Sequence, residues 1–132
     1  MRRLPPLVAA LVVALALAAC GGGGDQGPVE VGADAAGSSV RLDVGQELRI
    51  ALGSNPSTGY AWAEVAPADE AVLELVSDAF VEGGSDAVGA PGTQVLTYRA
   101  VGQGQATVSL AYLRSFEENS TIDEFSLSVE VE

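Results

Sequence analysis

From Val40 onward, apolar residues recur at every second position, and nothing else in the chain restricts its fold as tightly. Val40, Leu42 and Val44 alternate with Arg41 and Asp43, and Leu48, Ile50 and Leu52 repeat the pattern after Gly45-Gln46. A period of two sends one set of side chains to one face of an extended strand and the rest to the other. The runs 40–44, 48–52, 61–65, 71–80, 93–101, 106–112 and 125–131 read as strands. In the fourth, Val72-Leu73-Glu74-Leu75-Val76 fits a strand or a short helix, and its β-branched content favours the strand. About seven short strands with regular turn signals predict an all-β sandwich with one face of each strand inward. Trp62, on the third strand, is expected in the core between the two sheets.

Three longer loops, 53–60, 83–92 and 113–122, join strands two to three, four to five and six to seven. In an antiparallel sandwich these connections leave from the same end, so the three loops are expected to cluster there on a rigid scaffold. The first contains Asn55-Pro56-Ser57-Thr58-Gly59-Tyr60. Pro56 sets its own φ and pushes Asn55 towards extended backbone. Gly59 permits a positive φ on the way into the next strand. Asn55, Ser57 and Thr58 can bond nearby backbone and hold the turn from inside. The stretch predicts a stiff, exposed loop that presents a surface and is no catalyst by itself.

The composition narrows function. The chain has 132 residues, 6 basic and 18 acidic, a net charge of −12, and no His. Two of the basic residues, Arg2 and Arg3, lie at the N-terminus, so the folded part is more acidic still. That balance argues against nucleic-acid binding and against electrostatic docking on anionic lipid. Without His, imidazole acid–base chemistry and the commonest transition-metal ligand are missing. A single cysteine, Cys20, allows no internal disulfide, and Ser–His and Cys–His catalysis are excluded within the chain. No enzyme, cofactor or metal site is expected. Glu117, Glu118, Asp123 and Glu124 lack the alternating spacing of a calcium loop and read as solvated surface.

Residues 1–19 have a basic start and an apolar run over 4–19, short for a membrane span and suited to an export signal. The run ends Leu17-Ala18-Ala19-Cys20, which resembles the bacterial lipobox. That resemblance implies acylation of Cys20 on sulfur, cleavage before it, and a protein held at the cell envelope by lipid alone, facing outside the cytoplasm. Residues 20–38 follow as the lipidated Cys and a Gly-, Ala- and Asp-rich tether, expected to lack regular structure, and 39–132 form the domain.

The loops also carry a family resemblance. Asn55 to Tyr60 closely matches the NPTTGY-type loop of chagasin-like inhibitors of papain-family cysteine peptidases. Gly89-Ala90-Pro91-Gly92 is similar to the family's Gly-rich second loop, and Arg114-Ser115-Phe116-Glu117 to its third-loop Arg-Pro-Trp segment, with Ser115 in place of Pro and Phe116 in place of Trp. The flanking strands fit in the same order, so the resemblance spans residues 40–132. It implies an immunoglobulin-like β-sandwich, expected as a monomer, whose loops occlude the active-site cleft of a papain-like cysteine peptidase. The first loop would approach the catalytic Cys and His of the enzyme. Gly89 and Gly92 would allow backbone bonds along the cleft, while Arg114 and Phe116 would supply a directional donor and an apolar anchor. The alternative is a non-inhibitory envelope module on the same fold that binds another protein or a peptide.

Overall fold

The computed structural model describes residues 27–83 and 91–132. These form eight strands: β1 (Val29–Val31), β2 (Ser39–Leu42), β3 (Glu47–Ser54), β4 (Ala61–Ala66), β5 (Leu73–Glu82), β6 (Gly92–Ala100), β7 (Gly104–Leu113) and β8 (Asp123–Val131). They make two four-stranded sheets, ordered β1-β3-β6-β5 and β2-β8-β7-β4. The predicted sandwich is thus present, and the ambiguous fourth run is a strand. Its core is drawn from the inward positions that the alternation marks, except Val44, which lies past the end of β2 and is 51% exposed. Leu48, Ile50 and Leu52 of β3 face Val108 and Leu110 of β7 and Phe125, Leu127 and Val129 of β8, all at most 2% exposed.

The strand count and the tether need correcting. Val29–Val31 is a strand, and a 3₁₀ turn follows at Ala33–Ala35, inside a stretch expected to be irregular. Val29 and Val31 alternate around Glu30 and lean on the core, which stabilises a three-residue strand that composition alone would not suggest. The Gln46 amide donates to Gly27 O at 2.8 Å and secures the start of this segment. The sandwich is also not wholly antiparallel, because β1 runs parallel to β3 and β2 parallel to β8. The predicted leader, Cys20 and the tether up to 26 lie outside the described residues.

Three side chains bind the sheets to each other. Trp62 is 6% exposed, and its indole N–H on β4 donates across the sandwich to Gly53 O on β3 at 3.0 Å. Gln94 of β6 accepts from Trp62 N at 2.8 Å and donates to Trp62 O at 2.8 Å. β4 is an edge strand, so one amide side chain here satisfies backbone groups that a neighbouring strand would otherwise pair. The same amide nitrogen donates to Asp78 on β5.

Tyr98 of β6 is fully buried and donates its hydroxyl to Glu64 on β4 at 2.8 Å. Burial, then the bond to Glu64, push its pKa well above the ordinary phenol value. The unfolded chain releases this proton near pH 10, as a free tyrosine does, while the folded chain keeps it. The contribution of Tyr98 to stability is therefore complete below about pH 10 and declines as pH rises past it. Thermal unfolding followed from pH 8 to 11 is expected to show that decline, and Tyr98→Phe is expected to flatten it.

Candidate functional site

The register places the three predicted loops together. Ser54, at the end of β3, stands opposite Gly92 at the start of β6, and Gly92 stands opposite Glu82 at the end of β5. Ala61, at the start of β4, stands opposite Leu113 at the end of β7, with Asp123 of β8 opposite Tyr112. All three connections therefore leave from one end of the sandwich.

The first loop is a prefolded turn. Pro56–Thr58 forms one 3₁₀ turn with Asn55 as its N-cap. The Asn55 carboxamide oxygen accepts from Ser57 N at 3.3 Å and from the Ser57 hydroxyl at 2.6 Å. Thr58 Oγ1 donates to Asn55 O at 2.7 Å, and Gly59 N donates to Pro56 O at 3.0 Å. Gly59 has φ 86°, in the left-handed region, and turns the chain into β4. Each residue thus does what its type predicts, and the polar side chains are spent inside the turn.

The third loop leans on the first. The Arg114 guanidinium lies 4.5 Å from the Tyr60 ring centroid and donates through Nε to Thr58 O at 3.1 Å. Its Nη1 pairs with Glu117 at 3.2 Å. The Phe116 ring covers Gly59, where an added Cβ would stand 3.1 Å from Cζ. Phe116 is nonetheless 75% exposed, the most exposed large apolar side chain among the described residues. Ser115 is exposed between them. Arg114 is the only basic residue in the three loops.

Of the second motif, Gly89 and Ala90 lie outside the described residues. Pro91 is exposed, whereas Gly92 is not a loop residue at all: it opens β6, flanked by β3 and β5. A Cβ there would run into Val81 O and the Phe80 ring, so close packing of the hairpin needs glycine at this point.

Two residues that the motifs do not include hold the end together. Tyr112 accepts a bond from Asn55 N at 2.9 Å, stacks on Tyr60 with centroids 5.4 Å apart, and meets Trp62 at 5.1 Å. It therefore grips the first loop at both of its ends. Its one sequence signal is an aromatic at the loop-side end of an inward row. Ser120, buried in the third loop, accepts from Arg114 N, and its single hydroxyl proton lies within reach of both Arg114 O and Glu117 O. A serine in an acidic, polar loop gives no sign of this. Among the described residues no cluster of His, Cys, Asp and Glu is arranged to hold a metal ion.

No curated protein sequence matches the chain. Solved structures do match in fold. A cysteine protease inhibitor from Entamoeba histolytica, EhICP2, is similar at TM-score 0.72 with 21% identity, over 80% of this chain and 96% of that one. Amebosin gives TM-score 0.59 with 22% identity, over 81% of this chain and 99% of that one. PbICP-C, solved in complex with falcipain-2, gives TM-score 0.61 with 16% identity, over 81% and 100%. The sequence model described as chagasin family peptidase inhibitor I42 matches residues 41–130, from β2 to β8 and so across all three loops. The chain belongs to the chagasin family of peptidase inhibitors.

Proposed function

We propose that this protein reversibly inhibits papain-like cysteine peptidases by placing the loop end of the sandwich in the active-site cleft. The observation that carries the reading is the prefolded Asn55–Tyr60 turn, set between its two neighbours at the end of both sheets. Its internal bonds are already made, so little ordering entropy remains to be lost on binding. Small Ser57 and Thr58 allow the backbone to come close to the peptidase nucleophile. A turn that crosses the site without offering a carbonyl to the thiolate occludes it and is not cut. Phe116, held out over Gly59, is the apolar contact beside it. The fold relatives agree with this target class, since one is named a cysteine protease inhibitor and another was solved with falcipain-2. Titration of the purified protein against papain and a cathepsin-L-like peptidase tests the proposal. Competitive, reversible inhibition is the expected result. No inhibition of several such enzymes at high micromolar concentration overturns it and favours the non-inhibitory binding module.

A lipid anchor belongs to the same proposal and rests on the sequence: Arg2-Arg3, the apolar run 4–19, and Leu17-Ala18-Ala19-Cys20. Acyl chains on Cys20 would hold the inhibitor at the cell envelope, facing outside the cytoplasm, without a spanning helix. Cys20→Ala is expected to move the protein from the membrane fraction to the soluble one. Retention of the variant in membranes would refute the anchor and leave the inhibitor reading intact.

A further inference from the structure

We propose that Arg114 is a positioning residue, which joins the first and third loops into one preformed unit and acts on the peptidase through that unit rather than by contact. The proposal rests on the inhibitor reading for its functional part and on geometry for the rest. A guanidinium offers a planar face and a fork of N–H donors, and here the face and two of the donor positions are committed within the chain. Nε caps Thr58 O, a carbonyl at the end of the 3₁₀ turn that has no partner within the turn itself. Nη1 is paired with Glu117, and the face lies over Tyr60. Behind Tyr60 the stack continues through Tyr112 to buried Trp62. One column of planar groups thus runs from the core to the tip, with Arg114 as its outermost member. Ser120 clamps the backbone of Arg114 from the other side, so the guanidinium is attached to a fixed base.

The column explains how an exposed loop end without a metal or disulfide among its described residues can keep one shape. Without Arg114, the outer part of loop 1 would keep its own turn bonds, the grip of Tyr112 and the cover of the Phe116 ring, but no hydrogen bond to the third loop. Arg114 ties loop 1 to the third loop, which carries Phe116, so both contacts meet a partner in a fixed relation. Lysine cannot replace this, because a point charge supplies neither the planar stack nor the fixed direction of Nε.

The test compares the intact protein with Arg114→Lys and Arg114→Ala, using two readouts. Amide hydrogen exchange of the free proteins is expected to rise at Thr58, Gly59 and Tyr60 in both variants, with the amides of β3 and β8 unchanged. Inhibition of papain is expected to weaken by about ten-fold in both, through loss of preorganisation. Unchanged exchange at these three amides in Arg114→Ala overturns the proposal. So does full inhibition by Arg114→Lys, because a direct charge contact with the enzyme would survive that change. If exchange rises but the unaltered protein inhibits no peptidase, the strut stands and the inhibitor reading falls.

Discussion

Gly59→Pro is expected to abolish peptidase inhibition while leaving the sandwich folded. Proline needs a φ near −65°, whereas Gly59 sits at 86°. Proline also removes the N–H that donates to Pro56 O and closes the turn. The added ring atoms would also press on the Phe116 ring above the residue and displace it. A loss of at least about 100-fold in inhibition constant is expected, since the turn that enters the cleft can no longer form. Gly59→Ala separates the causes. It keeps the N–H but adds a Cβ in the left-handed region, at a cost of about 1–2 kcal/mol, and presses on Phe116. Its inhibition should fall between those of Gly59→Pro and the unaltered protein. The measurement is a titration of each variant against papain beside a thermal melt. A variant that melts several degrees lower but inhibits normally would show that the loop shape does not matter to binding.

Gln94→Leu is expected to cause the opposite pattern, a large loss of stability from one buried, uncharged side chain that lies beneath the loops rather than in them. The substitution removes the partner of both Trp62 N–H and Trp62 O, in a place closed to water. Two buried backbone groups left unpaired cost about 3 kcal/mol together, a large share of the stability of a small domain. A fall of roughly 10–20 °C in the melting midpoint is the expected readout. Gln94→Glu adds a sharper check. A carboxylate keeps an acceptor for Trp62 N but faces Trp62 O and Asp78 without a proton to give. Burial and Asp78 raise its folded pKa above the unfolded value, so stability is recovered as pH falls towards 4 and lost as pH rises. A pH-independent midpoint for Gln94→Glu would mean that the amide is not the clasp described.

The contrast between these two residues explains what was legible in the sequence. Gly59 could be read because its role is local: a positive φ next to a proline-led turn has a residue signature of its own. The sandwich could be read for a similar reason, since each strand reports its buried face through alternation. Gln94 could not, because a glutamine in a strand gives no hint that it faces inward to pair with the backbone of an edge strand in the other sheet. Tyr112, Ser120 and the inward turn of Arg114 belong to the same class. Each depends on partners between 6 and 57 residues away in sequence, beyond the reach of periodicity or turn chemistry. β1 has no signature of this kind, because three residues are too few to show a period. Gly92 reads as loop from the company it keeps, a proline and two other small residues, although the ladder already begins there.

The short β1 also gives the molecule a direction. It runs parallel to β3, and the Gln46 amide holds Gly27 beside the β2–β3 turn, so the described chain enters at the pole away from Asn55. Glu132 is bonded to Leu42 and Val44 at that same pole. The eight residues of β3 separate the two poles by roughly 25 Å. Any attachment made upstream of Gly27 therefore reaches the domain at the pole opposite the loops and leaves the loop end uncovered by the entering chain. A strand of three residues thus keeps the entry of the chain and its loop end at opposite poles.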